Sequence, residues 1–302
     1  MGKSRSVVIT GASRGLGLAS AAHLYKAGWR VVAAMRTPEI GLQNILDATG
    51  APADSSRLIG VQLDLTDPAS ITNAAKAILE AVGAPDAVVH NAGITAVGCV
   101  EELDLDVWQQ LFATNLFGPV ALTNALLPSM RATGRGRIVV IASENGVRGM
   151  PCTASYSASK AGSERWAEAL AAEIAPFGLG VSVLVTGVFD TDIITDAGVQ
   201  DHRDFSGPYS ALTTTIERRG RLAIRMASPP RRFAHALAKA LDDTAPYARH
   251  AVGVDAKMLL ILNRLLPARA MHQIIRIAMG LPRHGAAKAT SAAPRPESEN
   301  RV

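Results

Sequence analysis

Ser6-Val7-Val8-Ile9-Thr10-Gly11-Ala12-Ser13-Arg14-Gly15-Leu16-Gly17 is the stretch that decides the fold. Ser6 to Thr10 is a short apolar run of strand length, cut off by a glycine. Beyond the glycines, Leu18, Ala21, Ala22, Leu24 and Tyr25 recur at helical spacing, and Gly28 supplies the stop. A strand running through a glycine-rich turn into a helix N-terminus is an anion site in waiting. Glycines let the backbone approach a pyrophosphate, while the unpaired N–H groups and the helix dipole attract its charge. The spacing is Gly-x-x-x-Gly-x-Gly over Gly11, Gly15 and Gly17.

Outward from that unit the pattern repeats. Strands are expected at Arg30–Arg36, Leu58–Leu63, Asp86–Val89, Arg137–Ser143 and Gly180–Val185. Helices are expected at Pro68–Ala81, over Asp104–Arg131 with a bend near Gly118-Pro119, and over about 153–175. Apolar strands separated by helices describe an α/β protein with one doubly wound parallel sheet covered on both faces. Such sheets bind ligands at the carboxyl ends of their strands. Gly11, Arg36, Asp64, Asn91, Ser143 and Gly187 all fall at such ends.

Two of these positions speak to chemistry. The second strand ends in Met35-Arg36, with no acid until Glu39. A site for NAD usually carries a carboxylate there for the ribose 2′-hydroxyl. Arg36 with Arg14 instead suits a 2′-phosphate held by charge-assisted hydrogen bonds, the alternative being two solvated surface arginines. The reading taken is NADP(H). Further on, Tyr156 and Lys160 lie four residues apart and share a helix face, with Ser143 thirteen residues before Tyr156. A phenol of ordinary pKa near 10 is a poor acid or base at neutral pH, and a cation beside it is expected to move that value toward working pH.

These residues together resemble the short-chain dehydrogenase/reductase superfamily over about residues 4 to 255. Thr10 to Gly17, with Gly11, Ser13, Arg14, Gly15, Leu16 and Gly17, is similar to its cofactor turn, and Asp64-Leu65 to its adenine-contact pair. Asn91-Ala92-Gly93 resembles its Asn-Asn-Ala-Gly segment, with His90 in place of the first Asn. Asn115, Ser143, Tyr156 and Lys160 match its catalytic positions in order. The resemblance implies a Rossmann-like fold and hydride exchange between a nicotinamide cofactor and an alcohol/carbonyl pair. Tyr156 would pass the proton, Ser143 would hold the reacting oxygen, and Lys160 would lower the Tyr156 pKa and hold the nicotinamide ribose. Asn115 would position a water behind Lys160. Gly187, Val188 and Thr191 would meet the carboxamide, on a loop where Thr186 replaces the family's proline and loosens it. His90 would have to take over the first Asn's backbone support.

Composition bounds the rest. Hydrophobic residues make up 48% of the 302, enough for a large core. Cys99 and Cys152 have no metal-ligand spacing and read as reduced, packed thiols. The start of the chain leaves no room for a signal peptide, and no uninterrupted apolar run reaches about 18 residues, so a cytoplasmic protein is expected. Residues 190 to 228 lack a clear period and suit a substrate lid, with Phe189, Ile193, Ile194, Phe205, Tyr209 and Leu212 able to line an apolar pocket. Six arginines between Arg218 and Arg232, with no acid among them, read as a solvated helix face or as a site for an acidic tail or headgroup.

From Ala256 to Pro296 there are seven Lys or Arg and no acid, with apolar and basic faces split beyond Pro267. This predicts an amphipathic helical extension over 256–282, after a catalytic domain at 1–255 and before a disordered tail at 283–302. A membrane surface, a pocket roof and a partner subunit are its open uses. Within the superfamily this end loosely resembles steroid- and retinol-type members. Nucleic acid is not expected, since no aromatic residues interleave the basic runs. The expected activity is oxidoreduction of a lipophilic carbonyl or alcohol with NADP(H). The rivals are a reductase of a polar metabolite, such as a sugar or polyketide intermediate, and a non-catalytic NADP-binding regulator.

Overall fold

A computed structural model describes residues 4–191 and 199–285. Its strands are β1 (Ser6–Thr10), β2 (Arg30–Met35), β3 (Leu58–Gln62), β4 (Ala87–His90), β5 (Thr95–Val97), β6 (Gly136–Ser143), β7 (Leu179–Thr186), β8 (Val199–Asp201) and β9 (Tyr247–Val252). The helices are α1 (Gly15–Lys26), α2 (Pro38–Thr49), α3 (Pro68–Val82), α4 (Leu105–Phe112), α5 (Gly118–Thr133), α6 (Glu144–Val147), α7 (Ala154–Ile174), α8 (Ser210–Arg225), α9 (Pro230–Leu241), α10 (Val254–Leu265) and α11 (Ala268–Ala278).

Seven strands form one parallel sheet in the order β3-β2-β1-β4-β6-β7-β9, with β5 and β8 paired apart from it. Successive side chains on a strand point to opposite faces. Val8, Val32, Val88, Val140 and Val183 therefore pack with Ile78 of α3, Leu126 of α5 and Leu170 of α7. Val7, Ile9, Val31, Val139 and Leu184 pack on the other side with Leu24 of α1, Ile45 of α2 and Phe233 of α9. The chain leaves β1 toward one edge and returns at β4 toward the other. That reversal opens a crevice at the carboxyl ends of β1 and β4.

The bend expected at Gly118-Pro119 lies just before it. Pro119 follows in the first turn of α5, which continues the same helical run. The irregularity is a π-helical turn over Ala113–Phe117, which carries the buried Asn115. The whole run Leu105–Thr133 is long and apolar enough to cross a membrane by length and composition. Its Leu111, Leu122, Leu126 and Met130 are fully buried against the body of the protein, as in a core helix.

Residues 190 to 228 are not simply a lid without period, because α8 occupies Ser210–Arg225. Its threonines and arginines dilute the apolar stripe that buries Ile216. The arginines of α8 are exposed, Arg221 paired with Glu217 one turn back at the cavity edge. Ile193 and Ile194 lie outside the described residues, as does the proposed tail beyond 285.

The extension is the two helices α10 and α11, with Pro267 at the N-cap of the second. The boundary set at 255 cuts the first turn of α10, whose Ala256 is fully buried in the core. Val254, Met258, Ile261 and Leu265 form an exposed apolar stripe on α10.

Candidate active site

A cavity of about 1030 Å³ occupies the crevice. Gly11, Ser13, Arg14, Gly15, Leu16, Arg36, Asp64, Leu65, Asn91, Ala92 and Gly93 line it, together with Ser143, Tyr156, Lys160, Gly187, Val188 and Thr191. The structure thus brings all but two of the sequence-derived catalytic and cofactor-side candidates to one cavity. Gly17 and Asn115 stand behind its wall. None of the described residues beyond Ile224 lines the cavity, so the extension does not roof it.

The glycine turn depends on close approach. Gly11 and Gly15 have φ of +67° and +55°, the left-handed region that glycine tolerates best. A Cβ on Gly11 would press on Ala92 Cα, and one on Gly17 would overlap the Gly11 carbonyl oxygen and crowd the Asn91 amide. Asn91 Nδ2 donates to the Thr10 and Gly11 carbonyls at 2.9 and 3.2 Å. Thr10 Oγ1 accepts from the Asn91 and Ala92 N–H groups at 3.1 and 3.0 Å. Gly17 and the Asn91 amide therefore hold the turn rather than face a ligand.

The support expected of His90 is supplied by Thr10 and Asn91 instead. The His90 ring is buried away from the loop, with Nε2 2.8 Å from Thr123 Oγ1 on α5 and its edge against Trp166. Burial pulls its pKa down to about 3, so it stays neutral.

At the far end of the cleft, Arg14 and Arg36 are exposed on the cavity rim. Asp64 stands near enough to Arg36 to feel its charge. Hydrogen bonds from the Thr66 N–H and hydroxyl do more to hold the Asp64 carboxyl below its usual value.

At the other end, the Ser143 hydroxyl stands close enough to the Tyr156 phenol to favour its ionised form. Lys160 Nζ donates to the Ile141 carbonyl at 2.8 Å and lies 5.9 Å from the Tyr156 ring centre. Burial lowers the Lys160 pKa to about 8, against the opposing pull of Glu164 one turn on. The expectation that Lys160 brings the Tyr156 pKa down is not met. Burial raises it first, the Ser143 hydroxyl opposes, and the Glu144 charge adds to the rise. Tyr156 thus rests as a protonated donor. Asn115 Oδ1 accepts from Ile94 N at 2.9 Å, and its Nδ2 donates to Ile94 O and Ser159 Oγ at 3.0 Å each. Gly93 fits between Asn115 and Lys160, where a Cβ would come within 3.3 Å of Asn115 Oδ1 and 3.4 Å of Lys160 Nζ.

The substrate end differs from the sequence expectation. Phe189 lines the cavity, but Ile94, Val97, Val199, Ile216 and Ile224 supply the rest of its apolar surface. Phe205 is exposed beneath Arg203. The Tyr209 hydroxyl donates to Glu101 at 2.6 Å, and Leu212 faces a separate surface cleft. Cys99 and Cys152 pack as expected, buried with their Sγ atoms 3.6 Å apart.

Three acids escaped the sequence reading. Glu164, four residues past Lys160, is buried and paired with Arg249 at 2.7 Å; the Lys-x-x-x-Glu spacing was its signal. On the loop after β7, where the family's proline is missing, Asp255 Oδ2 accepts from Val188 N. Glu144 lines the cavity directly after Ser143. Burial first, and the nearby Asp255 second, raise the Glu144 carboxyl to about 7. A carboxyl raised in the fold costs nothing below its unfolded value near 4.5. It destabilises the fold progressively as pH climbs through about 7, where the unfolded chain has already ionised. Glu144→Gln should therefore grow progressively more stable than the unmutated protein between pH 4.5 and 7.5, by roughly 1–3 kcal/mol at the upper end. Thermal melts across that range check it; a difference that does not vary with pH rejects the cause.

The comparisons agree with this geometry. The family model for the short chain dehydrogenases matches residues 5–201. The chain is 37% identical over 203 residues to dehydrogenase/reductase SDR family member 7B of Xenopus tropicalis, covering 66% of this chain and 65% of that protein. It therefore spans about two-thirds of the length of that relative. It is 31% identical over 277 residues to the uncharacterized oxidoreductase YbbO of Escherichia coli K12, covering 90% and 94% of the two chains. A crystal structure of a short-chain dehydrogenase from Streptomyces avermitilis superposes with a TM-score of 0.76 at 31% identity, covering 93% of this chain and 99% of that one. The chain belongs to the short-chain dehydrogenase/reductase family, oxidoreductases that work with a nicotinamide dinucleotide.

Proposed function

We propose that the protein interconverts a ketone or aldehyde and an alcohol on a lipophilic substrate, using NADP(H). The observation that carries the reading is one continuous cavity. It joins the glycine turn and two rim arginines, through Ser143, Tyr156 and Lys160, to a compartment lined by Ile94, Val97, Phe189, Val199, Ile216 and Ile224, with Gln110, Asp201, Arg203, Glu217 and Arg221 also on its walls. The residues present fit the dinucleotide. The turn has no room for a Cβ at Gly11, it lines the cavity, and Arg14 and Arg36 form no salt bridge among the described residues.

In this reading Gly11, Ser13, Arg14, Gly15 and Leu16 cradle the phosphates, and Arg36 takes the 2′-phosphate. Asp64 and Leu65 border the adenine. Asn91, Ala92, Gly93, Gly187, Val188 and Thr191 border the rest, with Gly17 fixing the turn from behind. When bound, the cofactor supplies or accepts the hydride. Tyr156 Oη gives its proton to the carbonyl oxygen during reduction and takes it back during oxidation. Ser143 hydrogen-bonds the same oxygen and fixes the phenol. Lys160, still largely charged at neutral pH, orients the ribose and replenishes the proton, with Asn115 holding the backbone and water behind it. The apolar side chains of that compartment favour a lipophilic substrate over a sugar, and an intact proton relay favours an enzyme over a binding protein.

A panel of ketones, aldehydes and alcohols, followed by NADPH absorbance, tests this. Lipophilic carbonyls should turn over at lower concentration than polar ones. Tight NADPH binding with no turnover of any carbonyl would leave the binding-protein reading standing.

A further inference from the structure

We infer that Asp255 is a positioning residue for the cofactor-side loop Gly187–Thr191, fixing with a carboxylate what a proline ring would otherwise stiffen. The inference rests on the reading above, that this loop borders a nicotinamide dinucleotide.

After β7 ends at Thr186 the chain must leave the sheet and cross the mouth of the cleft. Gly187 N donates to Val252 O of β9 at 3.0 Å. Val188 N donates to Asp255 Oδ2 at 2.6 Å, a short charge-assisted bond. The other carboxylate oxygen, Oδ1, accepts from Ala256 N at 2.9 Å, so both oxygens are engaged and the side chain has one orientation. Asp255 also lies in the first turn of α10, where the helix dipole favours a negative charge.

Two glycines leave the space that the carboxylate fills. A Cβ at Gly187 or at Gly253 would overlap it, and Gly253 has a φ of +114° that side-chain-bearing residues rarely adopt. The downstream half of the loop is tied separately, Ser228 N donating to Val188 O and Asp190 N to Ser228 O, both at 3.0 Å. Thr191 then reaches the glycine turn, 3.4 Å from where a Gly15 Cβ would stand. The loop is thus anchored at β9, at Ser228 and at the glycine turn, and Asp255 is the only side chain among the described residues that holds a backbone N–H of Val188. Proline restricts a loop through φ, before and after folding. A carboxylate restrains it only in the folded state, and only while the bond is intact.

The test compares the unmutated protein with Asp255→Ala and Asp255→Asn. Amide hydrogen exchange at Val188, read without cofactor, should speed up about tenfold or more in Asp255→Ala, from losing a hydrogen bond to a charged group. The NADPH Kd should rise by a similar factor, and KM for NADPH should rise more than kcat falls. Asp255→Asn keeps one acceptor oxygen and should recover part of both effects. It also decides the matter if the alanine variant fails to fold. Unchanged Val188 exchange in both variants overturns the brace. A loosened Val188 with unchanged NADPH affinity overturns the positioning role. Failure of the unmutated protein to bind NADPH sinks the functional reading instead, and the exchange measurement still reports on the brace.

Discussion

Tyr156→Phe is expected to fold, to bind NADPH as before and to turn over its substrate about 10²–10⁴ times more slowly, the usual contribution of a proton-transfer group. The ring is a partly buried member of a small apolar cluster with Ala96, Leu103 and Leu111, and phenylalanine fills the same volume. What disappears is the hydroxyl and its interaction with Ser143. Ser143 still accepts from Asn145 N at 3.2 Å, so its own position should persist. The size of the effect follows from the setting. Burial keeps the phenol above its ordinary pKa, so it begins as a proton donor held in place beside the reacting oxygen. Reduction and oxidation should both collapse, because one oxygen serves both directions. Single-turnover rates, NADPH affinity and a thermal melt on the same variant separate chemistry from folding. Near-normal turnover would place the proton elsewhere, and Glu144, next to Ser143 on the cavity wall, would be the first residue to substitute.

The local signals proved readable and the long-range ones did not. The strand, turn and helix from Ser6 to Lys26 sit within one short stretch, with the glycine spacing imposed by contacts to Ala92 and Asn91. Tyr156, Lys160 and Ser143 were likewise readable, because a helix period and a strand end fix their relative directions. The parallel sheet followed from apolar runs, yet β9, Tyr-Ala-Arg-His-Ala-Val, carries charge on an edge and lacks that signature. α8 was hidden because its buried side is narrow, with only Thr213 and Ile216 fully inside. His90 looked like a loop residue by its place in a motif, but β4 runs through it and turns its ring into the core. Asp255 and Glu144 were the least legible of all. Their roles arise from a meeting of β6, β7 and α10 across more than a hundred residues of chain, which no local spacing records.

The unmutated protein is expected to prefer NADPH over NADH by about 1–3 kcal/mol in binding, from charge-assisted phosphate contacts, and Arg36→Asp should reverse or erase that preference. Arg36, directly after β2, and Arg14 of the glycine turn both lie on the cavity rim, so two cations from separate elements border the cleft. Both are exposed, and exposed charge pairs are weakened by salt. The preference should therefore shrink as ionic strength rises, whereas a preference built on shape would not. Aspartate at position 36 inverts the local field and offers an acceptor for the 2′-hydroxyl of NADH, as strand-end acids do in sites of that kind. Arg14 remains, so the variant is expected to lose NADPH affinity more than it gains NADH affinity. Asp64 should stay ionised, because its low pKa comes chiefly from the Thr66 hydrogen bonds and only lastly from Arg36. The adenine side of the site should then be undisturbed, and the change confined to the phosphate. Titration of both cofactors into the two proteins, at low and at physiological salt, decides it. Equal affinity for NADH and NADPH in the unmutated protein would show that the two arginines are solvated surface residues and nothing more.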